Sequence, residues 1–254
     1  MTRRRWIADE FCGDHAALTG AHAAHLSRTL RARVGQQFEV ACGDKVRRAT
    51  VSSVQDERVE FTLGEDVTVR EPVPITLLLA VFKFDRMEWA IEKCTELNVT
   101  TIVPVIARRT ERHLALAAGK RVERWRRIAR EAAEQSRRIA PPEIDDPLKL
   151  GDVLRSTTGE DELSAEANLT AVHNPDNLRI VLAESEREES LLDVLRGGVE
   201  VESLSLAVGP EGGWTAEELR SFATSSWVTA SLGDTVLRAE TAAIAALAVA
   251  RVEL

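Results

Sequence analysis

The chain has 254 residues, 44% of them hydrophobic, and a formal net charge of −8, which fits one large globular domain or two smaller ones. Its longest apolar run, Ala242–Ala250, is too short to cross a bilayer, and Arg3, Arg4 and Arg5 lead into Trp6, Asp9 and Glu10 rather than a signal-peptide core. Cys12, Cys42 and Cys94 are odd in number and lie outside any metal-ligand spacing, so we expect a reduced, cytoplasmic protein with no structural metal and no membrane partner.

The first 72 residues read as a small β-rich domain. His22–Arg33 is expected to form one short helix, and Phe38–Ala41, Ala49–Val54 and Arg58–Leu63 three strands. Gly35-Gln36, Gly43-Asp44 and Asp56-Glu57 supply the turns, and Pro72 and Pro74 mark the boundary to a second domain over 73–254. There the pattern changes to strands alternating with helices. Ile75–Phe82 is a continuous apolar run, as in a strand covered on both faces. Asp85 and Glu88 suit an N-cap and its partner, followed by Met87, Ile91, Cys94 and Leu97 at helical spacing. Thr101–Ile106 is the next strand. Val122, Trp125, Ile128, Ala132 and Ser136 give the following helix one buried stripe, with Arg124, Arg127, Arg130 and Arg137 elsewhere on its surface. Residues 140–178 are weakly patterned and expected to be loop with a short helix. Arg179–Ala183, Ser203–Val208 and Trp227–Leu232 are further strands, and Thr215 with Glu218 forms a capping box for a helix through Phe222. The last helix, Arg238 to about Val252, is apolar on most sides, which suggests burial against a second subunit. The fold class is therefore α/β with a parallel sheet.

Two glycine turns stand out, Leu206-Ala-Val-Gly-Pro-Glu-Gly-Gly213 and Ser231-Leu-Gly-Asp-Thr-Val-Leu-Arg-Ala-Glu-Thr241. Each joins an apolar run to a helical pattern. Glycine permits positive φ and close backbone approach, so one such turn is either a ligand cradle or only a tight connection. Neither matches a phosphate-binding loop or a dinucleotide fingerprint. Ligands of open parallel sheets sit beyond the C-terminal strand ends, where Ala183-Glu-Ser-Glu186 would join the two turns.

Several segments, in order, resemble the RsmE family of 16S ribosomal RNA (uracil-N3)-methyltransferases, in the SPOUT superfamily. They are His25-Leu-Ser-Arg-Thr-Leu-Arg31 with Val34-Gly35, Phe82-Lys-Phe-Asp-Arg-Met-Glu88 with Ile91-Glu-Lys-Cys-Thr-Glu-Leu97, Arg108-Arg109-Thr110, Glu134-Gln-Ser-Arg137 with Pro141, and both glycine turns. Two positions depart from the family pattern. Asp234-Thr235 stands where Pro-Arg is usual, which removes a positive charge beside the second turn, and Asn98 stands where glycine is usual.

The resemblance implies a PUA-like N-terminal β-barrel, a C-terminal SPOUT methyltransferase domain with a trefoil knot, and a homodimer formed through that domain. It implies S-adenosyl-L-methionine held by Leu182, Ala183, Gly209, Glu211, Gly212, Gly213, Leu232, Gly233, Val236, Leu237 and Thr241. The implied partner is 16S ribosomal RNA or the small ribosomal subunit. A ribose 2′-O-methyltransferase on the same scaffold and a non-catalytic RNA-binding or ribosome-assembly protein are the alternatives.

N3 of uracil carries a weakly acidic proton and lies on the pairing edge, so the base must be unpaired and the proton accepted or the anion stabilised. Arg238 is the first candidate to stabilise the flanking oxygens; it could equally neutralise Glu240 or Glu211, or contact a phosphate. Glu211 could accept the proton or only orient a loop. Local charge matters more than the total for a polyanionic partner: residues 1–50 carry 9 basic and 5 acidic side chains, residues 101–140 carry 11 and 4. The RNA-binding candidates are Arg3, Arg4, Arg5, Arg28, Arg31, Lys83, Arg86, Arg109 and Arg137; a solvated helix face balanced by the acidic stretch of residues 141–202, with 5 basic and 16 acidic side chains, is the plainer reading of the helix 120–138. Trp6, Trp125 and Trp214 could stack on bases, although Trp125 lies on the buried stripe.

Overall fold

The computed structural model describes residues 5–68, 72–155, 172, 176–186, 188–197 and 201–254, so Arg3, Arg4 and much of the acidic stretch lie outside it. The chain divides into two units, 1–71 with 130–141, and 72–129 with 142–254.

The first unit is built on one six-stranded sheet, ordered β1-β4-β5-β6-β3-β2. Its strands are β1 (Arg5–Ile7), β2 (Glu10–Cys12), β3 (His15–Thr19), β4 (Gln37–Cys42), β5 (Lys45–Val54) and β6 (Arg58–Val67). All neighbours are antiparallel except β1 and β4. Register shifts between Arg47 and Ala49 and between Val51 and Ser53 add local twist to the long β5–β6 pair. Trp6, Leu18, Leu26, Phe38, Val40 and Phe61 fill the core. The expected helix 22–33 is shorter and irregular. α1 covers Gly20–Ala24 and passes into a π-helical turn over His25–Thr29, closed by Leu30 N–H to His25 O at 3.0 Å. Arg31 then takes φ +53°, a left-handed conformation that ends the helix before Arg33.

Residues 130–141 complete this unit. Arg130 donates to Ile7 O at 2.9 Å and pairs with Asp9 at 2.8 Å, and the Glu134 side chain is fully buried. Arg5 is buried, pairs with Glu39 at 3.0 Å and donates to Arg137 O. Two charged groups expected at the surface, Arg5 and Arg130, are thus internal struts of the first unit.

The second unit has a parallel sheet of order β10-β8-β7-β12-β11-β13, with β9 also beside β8. These strands are β7 (Ile75–Ala80), β8 (Thr101–Ile106), β9 (Glu143–Ile144), β10 (Leu148–Lys149), β11 (Asn177–Leu182), β12 (Ser203–Val208) and β13 (Val228–Ala230). Helices α2 (Phe84–Glu96), α3 (Arg112–Ala117), α4 (Val122–Gln135), α5 (Leu150–Arg155), α6 (Leu191–Leu195), α7 (Ala216–Thr224) and α8 (Ala239–Glu253) connect them. The pleat divides β7 between two cores. Leu77 and Leu79 face the cluster holding Met87, Ile91, Trp125 and Leu247, whereas Leu78 and Ala80 face the one holding Val153, Trp214, Phe222 and Trp227. Every residue of β7 is therefore buried, and the strand needs its unbroken apolar run.

Two local expectations change, both at the start of α2. α2 begins at Phe84 with Lys83 at its N-cap and no side-chain cap, so Asp85 sits inside the first turn. Glu88 instead holds Arg124 through contacts of 2.6 and 2.8 Å, leaving it no part in a cap. The last helix α8 buries only one side, that of Ala239, Ala243, Ala246, Leu247 and Ala250, while Val252 is 83% exposed. Among the described residues no helix is long and apolar enough to cross a membrane.

Asn98 has φ +64° just after α2. Arg251 of α8 fastens this corner, donating to Val73 O at 2.6 Å, to Leu97 O at 3.1 Å and to Asn98 O. Asparagine is, after glycine, among the residues that best tolerate the left-handed backbone this corner requires. Asn98→Gly should change the urea midpoint little, whereas Asn98→Val should cost about 1–2 kcal/mol of unfolding free energy. Equal effects of the two substitutions would contradict this account.

Candidate functional site: a cleft at the carboxyl edge of the parallel sheet

β12, β11 and β13 are neighbours and all parallel, so their C-terminal ends lie at one edge of the sheet. The loops that follow, Ala183–Glu186, Gly209–Trp214 and Ser231–Arg238, come together there. Main-chain bonds hold two of them: Ala183 N–H donates to Ala230 O at 3.0 Å, and Leu191 N–H to Ser231 O at 2.8 Å. The third is closed by Gly213 N–H to Pro210 O at 2.7 Å. At Gly213, φ is +68°, which a side chain would oppose.

The three loops enclose two adjoining clefts of about 150 Å³ each, with Leu182, Ala183, Glu184, Val236 and Leu237 in the wall common to both. One is completed by Glu186 and Ser231–Thr235, the other by Gly209, Pro210, Glu211, Gly213, Trp214, Leu219 and Ala239. Nine of the eleven residues singled out in the sequence as cofactor-binding line this space; Gly212 and Thr241 do not. Gly212 is packed against Arg109, whose Cδ would lie 3.3 Å from an added Cβ. Thr241 is exposed on the first turns of α8. Sequence reasoning missed Glu184, Asp234 and Thr235 as lining residues, although Glu184 follows directly on the last residues of β11.

Packing explains the first glycine of the turn. A Cβ on Gly209 would lie 3.2 Å from the indole of Trp214. Trp214 is buried, with Phe222 edge-on at 5.0 Å. Its Nε1–H is buried yet meets no acceptor among the described residues. Trp6 and Trp125 are also fully buried. None of the three tryptophans is available as an exposed stacking platform, because each has been spent on a core.

Charged contacts fix the second loop. Arg86 donates to Glu211 at 2.6 Å and its Nε lies 3.8 Å from the buried Glu240 of α8, while Lys83 Nζ is 4.0 Å from Glu211. Arg109 donates to Gly212 O at 2.5 Å and to Trp214 O at 3.4 Å. The Thr215–Glu218 capping box forms, and Glu218 also accepts the N–H of Arg108 at 2.7 Å. Lys83, Arg86 and Arg109, all expected at RNA, therefore brace the Gly209–Trp214 loop. Arg86 takes the neutralising role that Arg238 could have played toward Glu211 and Glu240. Arg238 itself is exposed at the N-cap of α8 and forms no ion pair among the described residues.

In the first unit, Arg28 is exposed and 3.2 Å from Asp56, and Arg31 and Arg137 are exposed. The α4 arginines are mostly engaged: Arg124 with Glu88, and Arg126 with Glu123 at 2.7 Å and Ile144 O at 2.9 Å.

A family model described as an RNA methyltransferase domain matches residues 69–251. The chain is 33% identical to a ribosomal RNA small subunit methyltransferase E of Synechocystis over 91% of its own length and 71% of the relative's. It is 30% identical to the Bacillus subtilis protein of the same description, covering 91% of this chain and 87% of that one. Among solved structures, a ribosomal RNA small subunit methyltransferase E from Neisseria gonorrhoeae, bound to S-adenosyl methionine, superposes with a TM-score of 0.78 at 26% identity. That superposition covers 96% of this chain and 95% of the other. By the domain match and by these relatives, the chain belongs to the ribosomal RNA small subunit methyltransferase E family.

Proposed function

We propose that the protein transfers a methyl group from S-adenosylmethionine to N3 of a uridine in 16S ribosomal RNA, acting in the cytoplasm as a homodimer. The observation that carries this reading is the three-loop cleft in a chain of this family, whose Neisseria gonorrhoeae relative is described with S-adenosyl methionine bound. The residues suit such a ligand. The Trp214 Nε1–H, which meets no acceptor among the described residues, and the apolar wall of Leu182, Val236 and Leu237 offer a donor and a nonpolar surface. When bound, the cofactor supplies an electrophilic methyl on a sulfonium, already a good leaving group. The chain's task is then mainly to hold the attacking nitrogen in line.

Arg238 is our candidate for stabilising the uracil anion. Its side chain is free of internal ion pairs and follows Leu237, which lines both halves of the cleft. The first N–H groups of α8 begin beside it, and no side chain caps that terminus, so they add positive potential toward developing negative charge. Glu211 is held by Arg86 at 2.6 Å, an engagement that suits a loop-orienting role. For RNA contacts this reading retains Arg28, Arg31 and Arg137 with Arg3 and Arg4, and leaves out the buried Arg5. The six-stranded sheet serves as the PUA-like domain, and we assign the trefoil knot to the segments that follow β11 and β13. Thr241, Ala245, Ala248 and Val252, opposite the buried side of α8, form the small-residue face for a second copy.

Calorimetry on the purified protein tests the cofactor assignment. Wild type should bind S-adenosylmethionine, and Gly209→Val should weaken binding about tenfold or more by displacing Trp214. Unchanged affinity in a folded variant would remove this loop from the site. Arg238→Ala should lower kcat about 10²–10³-fold with cofactor affinity retained, and Arg238→Lys should recover part of it. A kcat equal to wild type would remove Arg238 from the reaction.

A further inference from the structure

The half of the cleft bounded by Ser231–Thr235 is lined by three carboxylates, Glu184, Glu186 and Asp234, and, among the described residues, by no lysine, arginine or histidine. Glu186 is committed to its own loop, accepting the N–H groups of Glu188 at 2.8 Å and Glu189 at 3.3 Å. Glu184 and Asp234 form no ion pair among the described residues. Glu184 stands in the wall common to both halves, with Oε1 3.3 Å from where a Cβ on Gly213 would lie. In the other half, the buried and unpartnered Trp214 Nε1–H points independently to a ligand carrying an acceptor. Uncompensated carboxylates repel phosphate and favour a cation. Asp234 adds a second carboxylate to that field from the facing loop.

We propose that Glu184 reads the positive charge on the cofactor's sulfur and thereby sets the preference for the methyl donor over its demethylated product. This inference rests on the reading of the cleft as the S-adenosylmethionine site. In the transfer, the methyl carbon forms a bond to N3 and its bond to sulfur breaks. The electron pair of that bond stays on sulfur, which goes from a formal charge of plus one to zero, and the N3 proton passes to a base or to solvent. The charge of the bound cofactor changes at the sulfur alone. A carboxylate in the cleft wall therefore favours the ligand before the step and loses that attraction after it, which speeds product exchange. Glu184 is exposed, so screening by water and salt keeps the effect modest.

The test is calorimetric titration of S-adenosylmethionine and of S-adenosylhomocysteine, which differ by the sulfonium methyl and its charge. Glu184→Gln should weaken donor binding about three- to tenfold while changing product binding less than about twofold, and high salt should shrink the difference. Retained product binding also reports that the variant cleft is folded. Glu184→Asp, which keeps the charge, should hold a donor-to-product ratio closer to wild type than to Glu184→Gln. Equal loss of both ligands in Glu184→Gln, an unchanged ratio, or an Asp variant no better than Gln would overturn the role of charge while leaving the cofactor site standing. A wild-type protein that binds neither ligand would instead sink the reading of the cleft, and this inference with it.

Discussion

The cleft depends on one constraint: β12, β11 and β13 run parallel and side by side, so three successive connections leave the sheet at the same edge. A parallel sheet needs both faces covered, and the alternation of Leu77 and Leu79 with Leu78 and Ala80 shows how one strand serves two cores. Loops at that edge are consequently anchored at both ends by buried strands and helices. The backbone turns can then be held where side chains of ordinary size would collide, as at Gly209 beside Trp214.

Electrostatics separates the two halves of the cleft. On the Gly209–Trp214 side, Arg86 and Arg109 are spent on Glu211, Glu240 and backbone carbonyls, so the positive charges stiffen the loop. On the Ser231–Thr235 side, carboxylates line the cleft, with no basic side chain in its wall among the described residues. Arg238, exposed at the start of α8, forms no ion pair among the described residues. An enzyme acting on a polyanion with a cationic cofactor is served by this division, since each charge sign meets the ligand it attracts.

Much of this was legible in the sequence for physical reasons. Largely apolar runs such as Ile75–Ala80 and Ser203–Val208 announce two-sided burial, and the Thr215–Glu218 pair announces its capping box. What escaped was set by distant partners. Nothing near Arg5 or Arg130 in the chain shows that Glu39 and Asp9 await them, so both looked like surface charge. Glu88 looked like a capping residue because Arg124 is 36 positions away. The three-residue strands β1 and β2 are too short to show a period. In the cleft, the glycines were visible because turns impose them locally. The carboxylates of Glu184 and Asp234 gained meaning only when three loops met.

The central claim is that this cleft delivers a methyl group to N3 of a uridine in the small-subunit RNA. The most direct measurement is mass-spectrometric mapping of nucleosides in that RNA from cells lacking the gene and from the same cells with it restored. The account predicts that one 3-methyluridine disappears on deletion and returns on restoration. A ribose-methylated nucleoside changing in its place, or no change in RNA modification at all, would contradict it.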